Sequence, residues 1–325
     1  MAVFTTLTPL EVRKELPDFN IGELLSLEPI ASGIENTNYF LDTTEGRWVL
    51  TVFERLSESQ LPFYLELCAH LRSQGCPVAA PVRTKSGQLF SHIKGKPFSI
   101  ANRLEGRSIE NVTAKECASM GEVLARMHIA ARGFSLFQEN LRGPQWWQAT
   151  APVVLPHLDS TVGAMLSEEV NHQLTVFSDS QFQALPVAAC HCDLFRNNAM
   201  IVGHGTEQEH VSGVFDFYFA GCTALLFDVA VTVNDWCTDF ESPDLHLDPR
   251  KTEAFLRAYH AVLPFTDAER RWWPDMLRAA ALRFWLSRLY DFYQPRKASL
   301  LKPHDPTYFE RILRNRKRVT FPLVD

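Results

Sequence analysis

The period of the hydrophobic pattern changes once along this chain, and that change limits the folds open to it. Up to about Gly106 the apolar residues mostly alternate, as strands require; beyond it they mostly recur at helical spacing. TNYFLDT and RWVLTVFE are alternating runs joined by TEG, and QLFSHI and KPFSIANRL are joined by GK, so two hairpins are predicted. Between them, SESQLPFYLELCAHLRSQG places Leu61, Tyr64, Leu65, Cys68 and Leu71 on one helix face, and Gly75 can end it. A short helix opens in LTPLEVRKEL, with Thr8 as N-cap and Pro9 at its first position. LLSLEPIAS reads as extended. The expected order is a leading helix and then β-β-β-α-β-β.

After Gly106, TAKECASMGEVLARMHIAARG aligns Cys117, Met120, Leu124, Met127 and Ala131 on one helix face. A loop containing GPQWW is expected next, then a helix within 159–182. The runs VAAC, NAMIV and HVSGVFDF read as short strands. Helices are expected over 223–237, 250–262, 268–297 and 306–318. A chain of 325 residues is long for one core. The reading is therefore α+β and bilobal. Residues 1–105 form a small antiparallel β-sheet lobe with a helix, and residues 106–325 a larger, mainly α-helical lobe.

The stretch HCDLFRNN (191–198) joins VAAC to NAMIV. It can be a polar turn, a metal site or a catalytic loop. Loop Asp and Asn residues commonly cap turns through their own backbone. Zinc on Cys190-His191-Cys192 is disfavoured, because alternate strand residues point to opposite faces and no second Cys/His pair follows at zinc spacing. The catalytic reading uses more of the pattern. Asp193 can accept a proton from an alcohol. If NAMIV and HVSGVFDF pair, Asn198 and Asp216 come together, and an amide oxygen with a carboxylate suits Mg²⁺. H-x-D-x-x-x-x-N followed by D-F is the order of a phosphoryl-transfer site. His191 reads as a loop-orienting residue.

Neither G-x-x-x-x-G-K-[ST] nor G-x-G-x-x-G occurs, so the chain is not a P-loop enzyme. ASGIENTNYF offers Ser32, Gly33, Asn36 and Thr37, whose backbone N–H groups can meet phosphates; a plain hairpin turn is an equal reading. The composition, 46% hydrophobic and 22% charged, is globular, and the net charge of -6 favours neither nucleic acid nor an anionic membrane. The basic run RILRNRKRV reads as the solvated face of a terminal helix. Seven irregularly spaced cysteines suit reduced thiols in cytoplasm rather than a disulfide framework. MAVFTTLTPLEVRKEL does not read as a signal peptide, and TALLFDVAVTV, with Asp228, is too short to span a bilayer.

HCDLFRNN and VFDFYFAG, with HLRSQGCPVAAPV (70–82), ANRLEG (101–106) and VLARMH (123–128), resemble the aminoglycoside-phosphotransferase branch of the protein-kinase-like fold. SGIENTNYFL, VLTVFER, LPFYLELCAHL, GVFDFYFAG, FDVAVTVNDWC and RFWLSRLYD are similar, more closely, to the bacterial homoserine kinases of that fold. The resemblance implies ATP and Mg²⁺ as cofactors. It implies transfer of the ATP γ-phosphate to the hydroxyl of L-homoserine, a step toward threonine. By the same resemblance Asp193 is the catalytic aspartate, and Asn198 and Asp216 hold Mg²⁺. Asn102–Gly106, with Arg103 and Leu104, is the hinge that meets adenine, and residues 1–105 are the nucleotide-binding lobe.

Kinases carry a lysine on the third strand, and Thr51 stands there in WVLTVFE. Threonine offers a hydroxyl but no charge. Glu66 lies on the helix where kinases carry that lysine's partner. Arg196, in the catalytic loop, is a candidate to stabilise the transferred phosphoryl; pairing with a nearby acid is the other reading. An amino-acid acceptor needs partners for its carboxylate, for which Arg283 and Arg288 are candidates, and for its ammonium, for which Asp235 and Asp291 are. Ion pairing among helices is the alternative for all four. Choline, an aminoglycoside or a protein serine stay open as acceptors, because a fold alone does not set the substrate.

Overall fold

The computed structural model describes residues 4–30, 36–294, 305–319 and 321–324. The chain divides into two units, the first ending at Glu105 and the second beginning at Gly106.

In the first unit, α1 (Pro9–Glu15) starts on a capping box in which Thr8 and Glu11 each accept the other's backbone N–H. Five strands follow: β1 (Leu24–Ile30), β2 (Thr37–Thr43), β3 (Gly46–Val52), β4 (Ser91–Ile93) and β5 (Lys96–Asn102). They make one antiparallel sheet in the order β1-β2-β3-β5-β4. The helix α2 (Leu61–Ser73) lies between β3 and β4 in the chain, and Gly75 beyond it takes φ +81°. This is the expected helix followed by β-β-β-α-β-β. Alternation does the sorting: Tyr39 and Leu41, Leu50 and Val52, and Phe98 and Ile100 all enter one core with Val12, Leu16, Phe19 and Ile21. Each fully buried side chain of this kind contributes about 1.5–3 kcal/mol.

In the second unit, α3 (Ala114–Ala131) starts on another capping box, Thr113 with Glu116. Then come α4 (Pro144–Val154), α5 (Ser160–Ser178) and α6 (Ser180–Gln183). The strands β6 (Val187–Cys190), β7 (Ala199–Val202), β8 (His210–Val214) and β9 (Gly221–Ala224) pair antiparallel as β6 with β9 and β7 with β8. The helices α7 (Leu225–Trp236), α8 (Pro249–Val262), α9 (Asp267–Tyr293) and α10 (Thr307–Arg318) complete it. Every residue of α7 is buried, as its apolar run demands.

Three expectations need correction. GPQWW is not loop, because Gly143 takes the N-cap position and Pro144 opens α4. Residues 223 and 224 are not helical but belong to β9, where pairing with β6 overrides local preference. RILRNRKRV is not one solvated face. Arg316 is buried and donates to Asn234 Oδ1, Leu245 O and Thr238 Oγ1, each at 2.9 Å. Burial pushes its guanidinium down to about 10. Residues 295–297 of the expected helix 268–297 lie outside the described residues. All seven cysteines carry free thiols. Among the described residues no helix is long and apolar enough to cross a membrane.

The crossing of α3 and α8 needs a glycine. A Cβ on Gly121 would stand 2.3 Å from the Phe255 carbonyl oxygen. Gly121→Ala is therefore expected to destabilise the protein by about 1–3 kcal/mol, read as a lower urea midpoint at unchanged m.

Candidate active site

The loop 191–198 leaves β6 and enters β7 over a buried carboxylate. Asp228, in the first turn of α7, accepts the backbone N–H groups of His191 (2.9 Å) and Cys192 (2.8 Å). His128 of α3 places Nε2 3.1 Å from the same carboxylate and Nδ1 2.8 Å from the Tyr259 hydroxyl of α8. With Nε2–H donating to Asp228, Nδ1 accepts the tyrosine proton. Burial pushes the Asp228 carboxyl up. Hydrogen bonds from His128 Nε2–H and the Cys192 N–H outweigh it and hold the group below the usual range. The clamp holds Cys192 at φ +61°, a left-handed conformation that side chains rarely adopt.

His191 orients the loop, as its sequence position suggests. Its Nε2 donates to Phe215 O (3.0 Å), its Nδ1 accepts the Asp193 N–H (3.2 Å), and its ring packs 4.5 Å from that of Phe217. The Asn198 amide nitrogen donates to Asp193 O (2.8 Å) and comes 3.4 Å from Asp193 Oδ2. One further rung, Phe215 N–H to Asn198 O at 3.0 Å, brings the two chain segments together. Asp216 follows directly, at φ +66° and exposed. The β7–β8 hairpin thus gathers Asp193, Asn198 and Asp216 in one place.

Two arginines of α9 interact electrostatically with Asp193. Arg283 of α9 is 4% exposed, and its Nη2 lies 3.6 Å from Asp193 Oδ1, beyond hydrogen-bond length. Its Nε and Nη2 are buried without a hydrogen-bond partner. Its guanidinium carbon stands 3.7 Å from the Phe284 ring and 5.2 Å from the Phe219 ring. Burial pulls Arg283 down to about 10; Asp193 opposes that, and the charges of Arg142 and Arg288 add to it. Burial likewise lowers Arg288, against the pull of Asp193, Asp291 and Asp235.

Arg196 and Asp235, assigned separately to phosphoryl and ammonium in the sequence, are here each other's partners. The Arg196 backbone N–H (2.8 Å) and Nε (3.0 Å) both donate to Asp235 Oδ2, Nη1 donates to Glu110 O, and the guanidinium stacks 3.9 Å over Phe240. The loop is further pinned where Trp236 Nε1 donates to Leu194 O (3.1 Å) and where Phe195 packs 4.4 Å from Phe284.

The residues expected to meet the nucleotide lie in the first unit, apart from Ser32 and Gly33, which are outside the described residues. Asn36 is buried ahead of β2. Thr37 Oγ1 accepts the Phe4 and Thr5 N–H groups (3.0 and 3.1 Å) and donates to Glu54 (2.7 Å). Thr51 donates to Asn38 Oδ1 at 2.8 Å, and Glu66 pairs with Arg83 at 2.8 Å. Arg103 stacks 3.8 Å over Phe40, with half-buried Leu104 next to it.

Sequence reasoning missed His128, Tyr259 and the role of Asp228. An acid inside the apolar run TALLFDVAVTV was the available signal, since buried charges are rarely placed without a partner. The Cys190 thiol also lies near His128 and Asp228. Burial pushes it well up, and the carboxylate it adjoins is already filled by two N–H groups and an imidazole.

An aspartate, an asparagine and a second aspartate on two hairpin-joined segments are the groups that a kinase-like phosphotransferase site calls for. The profile of the phosphotransferase enzyme family matches residues 26–273, and the chain belongs to that family. It is 51% identical over 320 residues to a homoserine kinase of Cupriavidus necator, covering 97% of this chain and 96% of that protein. It is 48% identical over 319 residues to a homoserine kinase of Burkholderia pseudomallei, with coverage of 97% and 96%. Among solved structures it resembles an amicoumacin kinase in complex with AMP-PNP and Ca²⁺ (TM-score 0.68, 16% identity, 94% and 92% covered). It also resembles a spectinomycin phosphotransferase (TM-score 0.64, 11% identity, 97% and 99% covered).

Asp228→Asn keeps the shape and removes the charge. It is expected to cost about 1–3 kcal/mol and to lower kcat more than the nucleotide KM. Because the folded carboxyl titrates below its unfolded value, the stability it supplies is present above the unfolded pKa and is lost as pH falls through the folded one. Unfolding midpoints measured from neutral to acid pH should therefore fall less steeply in the variant.

Proposed function

We propose that the chain is a homoserine kinase, transferring the γ-phosphate of ATP to the hydroxyl of L-homoserine and releasing O-phospho-L-homoserine and ADP, in threonine biosynthesis in the cytoplasm. The relatives at about half identity over 97% of the chain support the reaction class. The observation that carries an amino-acid acceptor is Arg283: a buried guanidinium whose Nε and Nη2 make no hydrogen bond among the described residues, with Nη2 only 3.6 Å from Asp193. The Nε–Nη2 edge is the one that grips a carboxylate through two parallel hydrogen bonds. A quaternary ammonium acceptor such as choline calls for an aromatic cage instead.

In this reading Asp193 orients the acceptor hydroxyl and takes its proton as the oxygen bonds to the γ-phosphorus and the bond to the β-phosphate oxygen breaks. Asn198 Oδ1 and the Asp216 carboxylate are hard oxygen donors that fit Mg²⁺, which offsets charge on the phosphates when bound. Asn36, Thr37, Thr51, Arg103 and Leu104, with Ser32 and Gly33, serve the nucleotide. The Thr37 hydroxyl is occupied by Phe4, Thr5 and Glu54 and ties the start of β2 to the N-terminal segment. Arg196 is a positioning residue, fixing the loop through Asp235. Arg283 and Arg288 take the acceptor carboxylate and Asp291 its ammonium, Asp235 being engaged by Arg196.

The test is ADP release by purified protein with homoserine, choline, an aminoglycoside and a serine peptide, with and without Mg²⁺. Mg²⁺-dependent turnover of homoserine alone is expected; its absence overturns the reading. Asp193→Asn should lower kcat by about 10²–10⁴-fold while nucleotide binding survives. Arg283→Met should raise the homoserine KM about tenfold or more and leave the ATP KM unchanged.

A further inference from the structure

The segment before α4 is seated on the strand that follows the metal-ligand candidate Asp216. Cys222 N–H donates to Gln138 O (2.7 Å), and Gln138 Nε2 donates to Ala220 O (3.3 Å). Glu139 bridges Cys222 in parallel. The approach is so close that a Cβ on Gly221 would stand 2.6 Å from Asn140 Cα and 2.9 Å from its nitrogen. Asn140 then fixes the next residues, accepting the Arg142 N–H on Oδ1 (2.9 Å) and the Gly143 N–H on its carbonyl (2.9 Å). The backbone that carries Arg142 is therefore anchored to the same strand pair that frames the catalytic loop.

The Arg142 guanidinium carbon lies 4.7 Å from the Trp146 ring and 5.8 Å from the Phe219 ring. Arg283 stands 5.2 Å from that same Phe219 ring. Two guanidinium groups therefore share one aromatic side chain, close to Asp193. Arg142 is one of the charges that make the buried Arg283 harder to keep protonated. Like charges held in a partly buried site are stabilised by an anion that both can reach. An acceptor hydroxyl at Asp193 leaves the α-carboxylate of a short amino alcohol only a few bonds away, on a site where Arg283 stands 3.6 Å from Asp193 and Arg142 shares the Phe219 ring with it.

We propose that Arg142 is a ligand of the acceptor carboxylate, acting together with Arg283, and that the 138–143 segment is a specificity element for acidic amino-alcohol acceptors. The proposal deepens the homoserine-kinase reading and rests on it.

The experiment compares L-homoserine with 3-amino-1-propanol, the same chain without the carboxylate, in the wild type, Arg142→Met and Arg142→Lys. Methionine keeps a long side chain over Trp146 and Phe219 and removes the charge. The expected result is that Arg142→Met lowers kcat/KM for homoserine about tenfold or more, through KM, with lysine intermediate. The value for aminopropanol and the ATP KM should stay within about twofold. If aminopropanol turns over too slowly, its Ki against homoserine serves as the readout. Equal losses for both acceptors would mean that the residue only supports the loop, and an unchanged homoserine KM would mean that it has no role; either overturns the proposal. Failure of the wild type to phosphorylate homoserine is a different result, and it overturns the parent reading.

Discussion

One buried carboxylate holds the loop 191–198 in shape. Asp228 has no exposed surface and accepts two consecutive backbone N–H groups, His191 and Cys192, and an imidazole. An isolated charge at that depth costs several kcal/mol. Three charge-assisted hydrogen bonds offset it, and each contributes about 1.5–3 kcal/mol. Removing any donor leaves the others facing an under-satisfied anion, so the loop conformation and the carboxylate stabilise each other. The left-handed Cys192 and the placement of Asp193 next to it follow from that bargain.

Arginine is used here in three ways, and its surroundings decide which. Arg196 meets a carboxylate and an aromatic face, so its charge is spent on fixing the loop. Arg316 donates to neutral oxygens of Asn234, Thr238, Leu245 and Asn315, and joins α10 to α7. Arg283 meets aromatic rings and a carboxylate just out of hydrogen-bond reach. Only the last is left with bonding capacity beside Asp193, and for that reason it carries the reading of the acceptor.

Much of the fold was legible because it depends on local chemistry. Thr8 with Glu11, and alternation in β2, β3 and β5, are patterns within a few residues. The pairing of β7 with β8 was readable too, and with it the meeting of Asn198 with the segment holding Asp216. What sequence reading could not reach depends on partners distant in the chain. The strand β9 exists because β6 lies beside it. Arg196 and Asp235 are 39 residues apart, and nothing between them signals the pair. Asp228 was noticed only as a charge that spoils a membrane span, because the groups it serves are 36 and 37 residues upstream.

The 27-residue helix α9 has a dual character. Its first turns fall within residues 26–273, which the general family profile covers; Arg283, Arg288 and Asp291 fall beyond it. Its middle is tied to the common framework, where Asn234 of α7 donates to Leu277 O at 2.8 Å. One rigid rod thus joins the shared phosphate-transfer machinery to a portion outside the general pattern. Under the proposed function, the choice of acceptor draws partly on residues that the general profile does not span, and the buried turns before them hold those residues in register.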